Sequence, residues 1–311
     1  MSLFDEFLEY AVAQAHPKLL EWYGAVGVLD HSLNDVERDT EEFLTDEFAQ
    51  DFASNCTSLG IAPEHFKHRV LEVAGRRLIA GIRFFGLDLA RPFVEVAMAS
   101  RPFEREDELL EVSHAIRTQF AAFNPSRWRV YQSSHRAFQF PGFDGDKRVL
   151  AGRLEDIRAL PAPPNLERVQ LRAAQDLGFY TRYAAIFDVL YVQRPWLRDV
   201  ARVETLEDMT TYLERDRVFE VFVDEAWAGV TVVARGLDFG VRGCHMVEIA
   251  LEPRVHGQGL AVAVQRRLAA MIEDSGGDAL YGTIGAVNAP MLKTAARVGR
   301  VDLGGQFWVN L

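Results

Sequence analysis

The stretch H256-G-Q-G-L-A-V-A-V-Q-R-R-L268 decides how this chain is read. Two glycines stand one residue apart and a helical pattern starts at once. Ahead of them M246-V-E-I-A-L251 reads as a strand, closed off by Pro253. Leu260, Val264 and Leu268 fall on one helical face with Met271 and Ile272, while Gln265, Arg266, Arg267, Glu273 and Asp274 lie elsewhere. The helix N-terminus therefore falls at Gly257 to Gly259. Its first N–H groups have no partner inside the helix and carry partial positive charge. With no side chain at 257 or 259, an anion can reach the backbone. Strand, glycine loop, helix is an arrangement for holding phosphate. A dinucleotide fingerprint would need a third glycine, and a P-loop would need G-K-[S/T]; both are missing. Two glycines between strand and helix also serve as a plain tight turn, so on the glycines alone both readings stand.

Composition narrows the field. The 311 residues are enough for one large or two ordinary domains, and 49% are apolar, so a real core forms. The net charge of −11 argues against general nucleic-acid binding, which wants a basic face. It suits cationic or amine substrates, as it suits any soluble protein. Cys56 and Cys244 build neither a disulfide framework nor a zinc site, and no metal is expected. The acidic start M-S-L-F-D-E-F-L-E-Y lacks the basic region of a secretory signal, and no apolar run reaches 18 residues. A cytoplasmic protein without a membrane partner is the expectation.

The chain repeats itself. R69-V-L-E-V73 matches R217-V-F-E-V221, G86-L-D-L89 matches G236-L-D-F239, and F93-V-E-V-A-M98 matches M246-V-E-I-A-L251. L8-E-Y-A-V-A-Q14 resembles V169-Q-L-R-A-A-Q175. Four matches in one order point to a duplication. Gly and Pro cluster at PGFDGD (Pro141 to Asp146) and at PAPP (Pro161 to Pro164), as linkers do, with a short helix expected between them near Arg148 to Leu160. The expected domains are 1–140 and 165–311, joined by a linker at 141–164. Each half should begin with a strand: Leu8, Tyr10 and Val12 alternate, as do Val169, Leu171 and Ala173. Helices follow, at Lys18 to Ala53 and at Phe179 to Arg215. Three strands come next, near 68–75, 78–86 and 92–99, and near 217–224, 228–235 and 244–251. A helix and a further strand close each set, the strand at R127-W-R-V-Y-Q132 or A279-L-Y-G-T-I284. This is an α/β class with a mixed sheet in two tandem domains.

With the glycine loop and the repeat in view, the chain resembles the GNAT family of N-acetyltransferases. Pro253 to Ala261, PRVHGQGLA, is similar to the family's acetyl-CoA signature [Q/R]-x-x-G-x-[G/A], with Arg254, Gly257 and Gly259 in register. His256 stands where a second Gln or Arg is common. N288-A-P-M-L-K-T-A-A-R-V-G299 resembles the family's later helix through Asn288, Leu292 and Gly299, with Arg300 in place of the usual Phe. The resemblance covers 165–311 and, more weakly through the repeat, 1–135. Two GNAT-like halves with one competent loop is a layout similar to that of mycothiol synthase.

The resemblance implies acetyl-CoA as co-substrate. Its pyrophosphate would sit on the N–H groups of Gly257, Gln258, Gly259, Leu260 and Ala261, beside His256. Its pantetheine arm would pair with the backbone of Ile249, Ala250 and Leu251, and Asn288 would reach it. A primary amine of a small molecule or a peptide would attack the thioester directly. Glu248 is the family's position for a base. His245 is its rival, since imidazole titrates near neutrality and the other half has Pro92 there. Alternation along the strand places Glu248 on one face with Met246 and Ala250, opposite Val247, Ile249 and Leu251. The usual acid tyrosine is replaced by Ala295, and Tyr281 is the substitute. Cys244 is better read as a small buried thiol than as a nucleophile. The aromatic stretches F179-Y-T-R-Y-A-A-I-F187 and Y191-V-Q-R-P-W196 could line the acceptor pocket or form core. In the first half, Glu104 and Glu106 replace the two glycines while Leu109, Val112, Ile116, Phe120 and Phe123 keep the helix. That half is expected to be degenerate, packing against the active one or walling its substrate pocket. A non-catalytic acetyl-CoA sensor, transfer of a longer acyl group, and a homodimer all remain open at this level.

Overall fold

The computed structural model describes residues 2–136, 143–215 and 217–311. Pro141 and Gly142 of the expected linker lie outside them. The chain divides into two compact units. The first comprises Met1–Arg148, Asp238–Gly240 and Leu303–Leu311; the second comprises Val149–Leu237 and Val241–Asp302.

The first unit opens with α1 (Leu3–Gln14), α2 (Pro17–Glu37), a π turn at Arg38–Glu42, and α3 (Asp46–Ser54). Strands β1 (Arg69–Val73), β2 (Arg76–Phe84) and β3 (Pro92–Ala99) follow, then α4 (Glu106–Gln119) and β4 (Arg127–Ser133). Residues 8–12, expected as a strand, are helical. Leu3, Phe4, Phe7, Leu8 and Ala11 recur at helical spacing and pack on Val36 and Ile79. Ser2 and Asp5 close a capping box at the helix start. The alternation of Leu8, Tyr10 and Val12 is thus incidental, and the fourth repeat match pairs a helix with a strand. β1, β2 and β3 run antiparallel to their neighbours, whereas β3 and β4 pair in parallel from Val94↔Trp128 to Val96↔Val130. A long core of Phe66, Leu78, Ile82, Val94, Phe120 and Trp128 lies under α4.

Strand β5 (Phe143–Arg153) carries the chain from the first unit to the second, and α5 (Leu154–Ala159) follows. A strand and a short helix therefore occupy much of the expected linker. In the second unit come β6 (Val169–Ala173), α6 (Tyr180–Gln193), α7 (Leu197–Val200), α8 (Leu206–Leu213), β7 (Val218–Val223), β8 (Ala226–Asp238), β9 (Val241–Leu251), α9 (Leu260–Met271), β10 (Ala279–Gly285) and α10 (Ala289–Val298). Its strands stand in the order β10-β9-β8-β7-β6. β9 and β10 are parallel, in register from Gly243↔Ala279 to His245↔Tyr281. The last strand, β11 (Val301–Asn310), runs antiparallel to β4, and its residues from Leu303 belong to the first unit. The class is mixed α/β. Among the described residues no helix is long and apolar enough to cross a membrane.

Candidate active site

The site begins at the N-terminus of α9. Gly257 and Gly259 have φ of +77° and +74°, and a Cβ built on either would meet nothing within 4 Å. Left-handed backbone explains why glycine stands there; the open space explains why an anion could approach. Gly259 is the N-cap residue and no side chain caps the helix. The loop is braced from behind: Asn165 donates to the Gln258 carbonyl at 3.1 Å, and Gln258 Nε2 donates to the Arg254 carbonyl at 3.1 Å. Leu260 is buried against Val221, Leu251 and Val255, which anchors the first turn, and Ala261 packs on the edge of that cluster.

His256 turns inward. Its Nε2 donates to the Leu251 carbonyl at 2.8 Å, a contact that ties the loop to the end of β9. Ile249 N–H donates to Glu248 Oε1 at 2.7 Å. Two backbone groups of the Ile249–Ala250–Leu251 edge are thus engaged within the protein. Asn288 caps α10, its side chain accepting from Met291 N–H at 3.4 Å.

The strand that leads to the loop departs from simple alternation. Met246 and Ile249 share one hydrophobic cluster, while Val247 and Ala250 pack in the cluster of Tyr183. In regular β-structure, residues three apart face opposite ways. One extra residue is therefore accommodated between 246 and 249, as in a bulge. The expected grouping of Glu248 with Ala250 holds, since both lie on the side of Tyr183 in α6, whereas Met246 parts from them and Val247 joins them.

On that side Glu248 is partly buried. Its Oε2 accepts the Tyr183 hydroxyl at 3.0 Å, and Tyr183 in turn accepts the Glu204 N–H at 2.9 Å. Among the described residues no ion pair involves Glu248. Burial raises its pKa to about 7, against the opposing pull of the Tyr183 and Ile249 hydrogen bonds; the charge of Glu204 adds to the rise. Burial and the neighbouring carboxylate hold the Tyr183 proton far more tightly than usual. A carboxylate that gains and loses a proton near neutrality is suited to general base work.

His245 and Tyr281 form a separate pair. Directly opposed across β9 and β10, their rings stack at 5.2 Å. Tyr281 is buried, and a Cβ on Gly236 would meet its hydroxyl at 2.9 Å. Ala295 is fully buried in a small cluster with Leu150 and Ile284, so no hydroxyl stands there. Burial pushes the Cys244 thiol up, away from nucleophile behaviour.

Sequence reading assigned no individual role to two residues it passed over. Tyr183 lay unmarked in an aromatic run, since spacing alone does not distinguish a core tyrosine from one that holds a carboxylate. Arg300 is buried and donates to the carbonyls of Leu150 at 2.9 Å and Gly282 at 3.2 Å, and to Gln265 Oε1 at 3.2 Å. Burial lowers its pKa to about 10. It ties β5, α9 and β10 together behind the site. Among the described residues no cluster of His, Cys, Asp or Glu is placed to hold a metal ion.

No family model and no curated protein matches this sequence. Solved structures do resemble the fold, and GNAT acetyltransferases are among them. A GCN5-related N-acetyltransferase from Sphaerobacter thermophilus aligns with TM-score 0.48 at 12% identity, over 85% of this chain and 91% of its own. A GNAT-family acetyltransferase from Colwellia psychrerythraea aligns with TM-score 0.48 at 14% identity, over 87% and 96%. A tandem GNAT protein from the clavulanic acid biosynthesis pathway aligns with TM-score 0.42 at 14% identity, over 76% and 78%.

Proposed function

We propose that this chain is an acetyl-CoA-dependent N-acetyltransferase of the GNAT type, with its transfer site in the second unit and a primary amine as acceptor. The observation that carries the reading is the bare glycine N-terminus of α9, open to an anion and joined by one turn to the strand that bears Glu248. In this reading the N–H groups of Gly257 to Ala261 hold the pyrophosphate of the co-substrate. Its arm runs toward β9, where Glu248 faces α6.

Glu248 then takes a proton from the acceptor ammonium. The freed nitrogen lone pair attacks the thioester carbonyl, the C–N bond forms, and the C–S bond breaks with its electron pair on sulfur. The nitrogen gives up a second proton as the thiolate gains one. Tyr183 is a positioning residue, since it touches Glu248 rather than the reacting atoms. The two buried free cysteines suit a reducing cytoplasmic setting. The first half is read as a GNAT-like copy that no longer takes acetyl-CoA.

One observation favours a second reading, a non-catalytic acetyl-CoA sensor: Ala295 leaves no hydroxyl at the place where the family resemblance expects the acid. Release of free CoA thiol over a panel of primary amines separates the two. Amine-dependent release supports the enzyme; tight acetyl-CoA binding with no release for any amine supports the sensor.

A further inference from the structure

The first unit contains a cavity of about 580 Å³ whose walls all belong to that unit. It opens where β3 and β4 part company. Their parallel register ends at Val96↔Val130, and the residues just beyond, Ala97 to Ala99 and Tyr131 to Ser133, line the space. Helices α1 and α2 and the turn Asp238–Gly240 complete it, the turn held by His31 Nδ1 on the Gly240 carbonyl at 3.1 Å. Much of the lining is apolar or aromatic, including Phe7, Val28, Met98, Phe103 and Val130. The volume lies within the roughly 300–1,000 Å³ typical of small-molecule sites.

The charges on its wall are unequal. Asp35, Asp39, Glu95 and Asp238 line it, against Arg38 and Arg83. Glu95 is already met by Arg129 at 2.6 Å. Arg38 reaches Asp35 at 3.0 Å, and Arg83 donates to the Ile82 carbonyl and lies over the rings of Phe43 and Phe52. Asp39 sits in the π turn, almost fully buried, with Arg38 Nε 3.7 Å from its carboxylate. Burial together with nearby carboxylate charge raises both Asp39 and Asp238 to about 6. A second and independent feature is Gln132. It is 6% exposed, lines the cavity, and neither its amide nitrogen nor its oxygen has a hydrogen-bond partner in the protein. A buried amide left this way is costly and calls for a partner.

We propose that this cavity binds an organic cation: a protonated primary amine on an aromatic or apolar body, the ammonium on Asp35 and Asp238, the body against Phe7, Phe103 and Val130, and the Gln132 amide meeting a polar group of the ligand. The site shares no residue with the α9 loop, so it stands apart from the acyl-transfer reading. It gives the half without the glycine loop a ligand of its own.

Calorimetry on the full chain tests it, with phenethylamine, tyramine and 4-phenylbutylamine as probes and 2-phenylethanol and 3-phenylpropionate as neutral and anionic controls. At least one amine binds, and each control is weaker by about tenfold or more. Asp35→Asn and Asp238→Asn each weaken the amine by about tenfold or more. Both variants remove a desolvated charge and are expected to fold, which thermal melts check. Ala97→Trp, which fills the cavity, abolishes amine binding. Gly257→Glu with Gly259→Glu leaves it unchanged. Failure of all three amines to bind at millimolar concentration overturns the proposal. So does amine affinity unchanged in Asp238→Asn, affinity retained in Ala97→Trp, or a preference for the carboxylate.

Discussion

Glu95 and Glu248 hold the same place in the two sequence repeats, and burial raises the pKa of both, but their partners differ. Glu95 is clamped by Arg129 at 2.6 Å, and Arg129 also holds Asp146 at 2.6 Å. Glu248 has a tyrosine hydroxyl and a backbone N–H instead of a cation. One half supplies a guanidinium where the other supplies a phenol. The same residue type thus sits in an ion pair in the first half and on a tyrosine hydroxyl in the second.

The helix N-termini that follow these strands diverge in the same way. At α4, the protein's own carboxylate fills the anion position: Glu108 Oε2 accepts the N–H groups of Glu104 and Arg105 at 2.9 and 3.3 Å, and Arg76 pairs with Glu108 at 2.8 Å. At α9 two left-handed glycines leave that position open. The first half satisfies this loop with its own carboxylate; in the second the space at Gly257 and Gly259 stays open.

The largest expected effect is at Glu248. Glu248→Gln lowers kcat by roughly 10²–10⁴ while acetyl-CoA affinity stays nearly constant. Unchanged turnover sends the base role elsewhere. Arg129→Met should show the opposite profile. It strands a buried carboxylate and costs about 3–5 kcal/mol of stability in denaturant titration, with little change in kcat at a temperature where the variant is folded. A large loss of turnover without loss of stability would break the contrast between the halves.

A smaller effect sharpens it. The base works as the carboxylate, so kcat/KM should rise with pH through about 7, the value to which burial raises Glu248. The Tyr183 hydrogen bond favours the charged form. Tyr183→Phe removes that support, raises the pKa, and moves the acidic limb upward by roughly half to one pH unit. A limb that stays put, or moves down, contradicts the assigned role. The smallest effect is at His245, whose ring is stacked on Tyr281 and apart from the Glu248 hydrogen bonds. His245→Ala should change kcat by no more than about twofold, well below the tenfold that 1.36 kcal/mol of barrier represents; a loss exceeding that of Glu248→Gln reverses the two roles.

The glycine loop and the strand before it were legible in sequence because both signals are local. Absent side chains at 257 and 259, and an apolar face from Leu260 to Leu268, need no tertiary context. The repeat was legible through β1/β7 and β3/β9 for the same reason. The start of the chain misled, because Leu8, Tyr10 and Val12 satisfy a period of two while Leu3, Phe4, Phe7 and Ala11 satisfy 3.6. Packing on Val36 and Ile79 decided between them. That Met246 and Val247 change sides next to Glu248 also escaped, since an extra residue in a strand leaves no mark in composition. The partners of Glu95, Glu248 and Arg300 come from distant segments, and one sequence does not reveal who meets whom.

In the proposed reading only the second half holds a site for acetyl-CoA. Calorimetric titration of the full chain with acetyl-CoA counts the sites. One site per chain is expected. Gly257→Glu with Gly259→Glu should abolish it, because the side chains block the approach that glycine allows and place like charge against the pyrophosphate. Two equivalent sites per chain, or binding that survives the double substitution, would contradict the account.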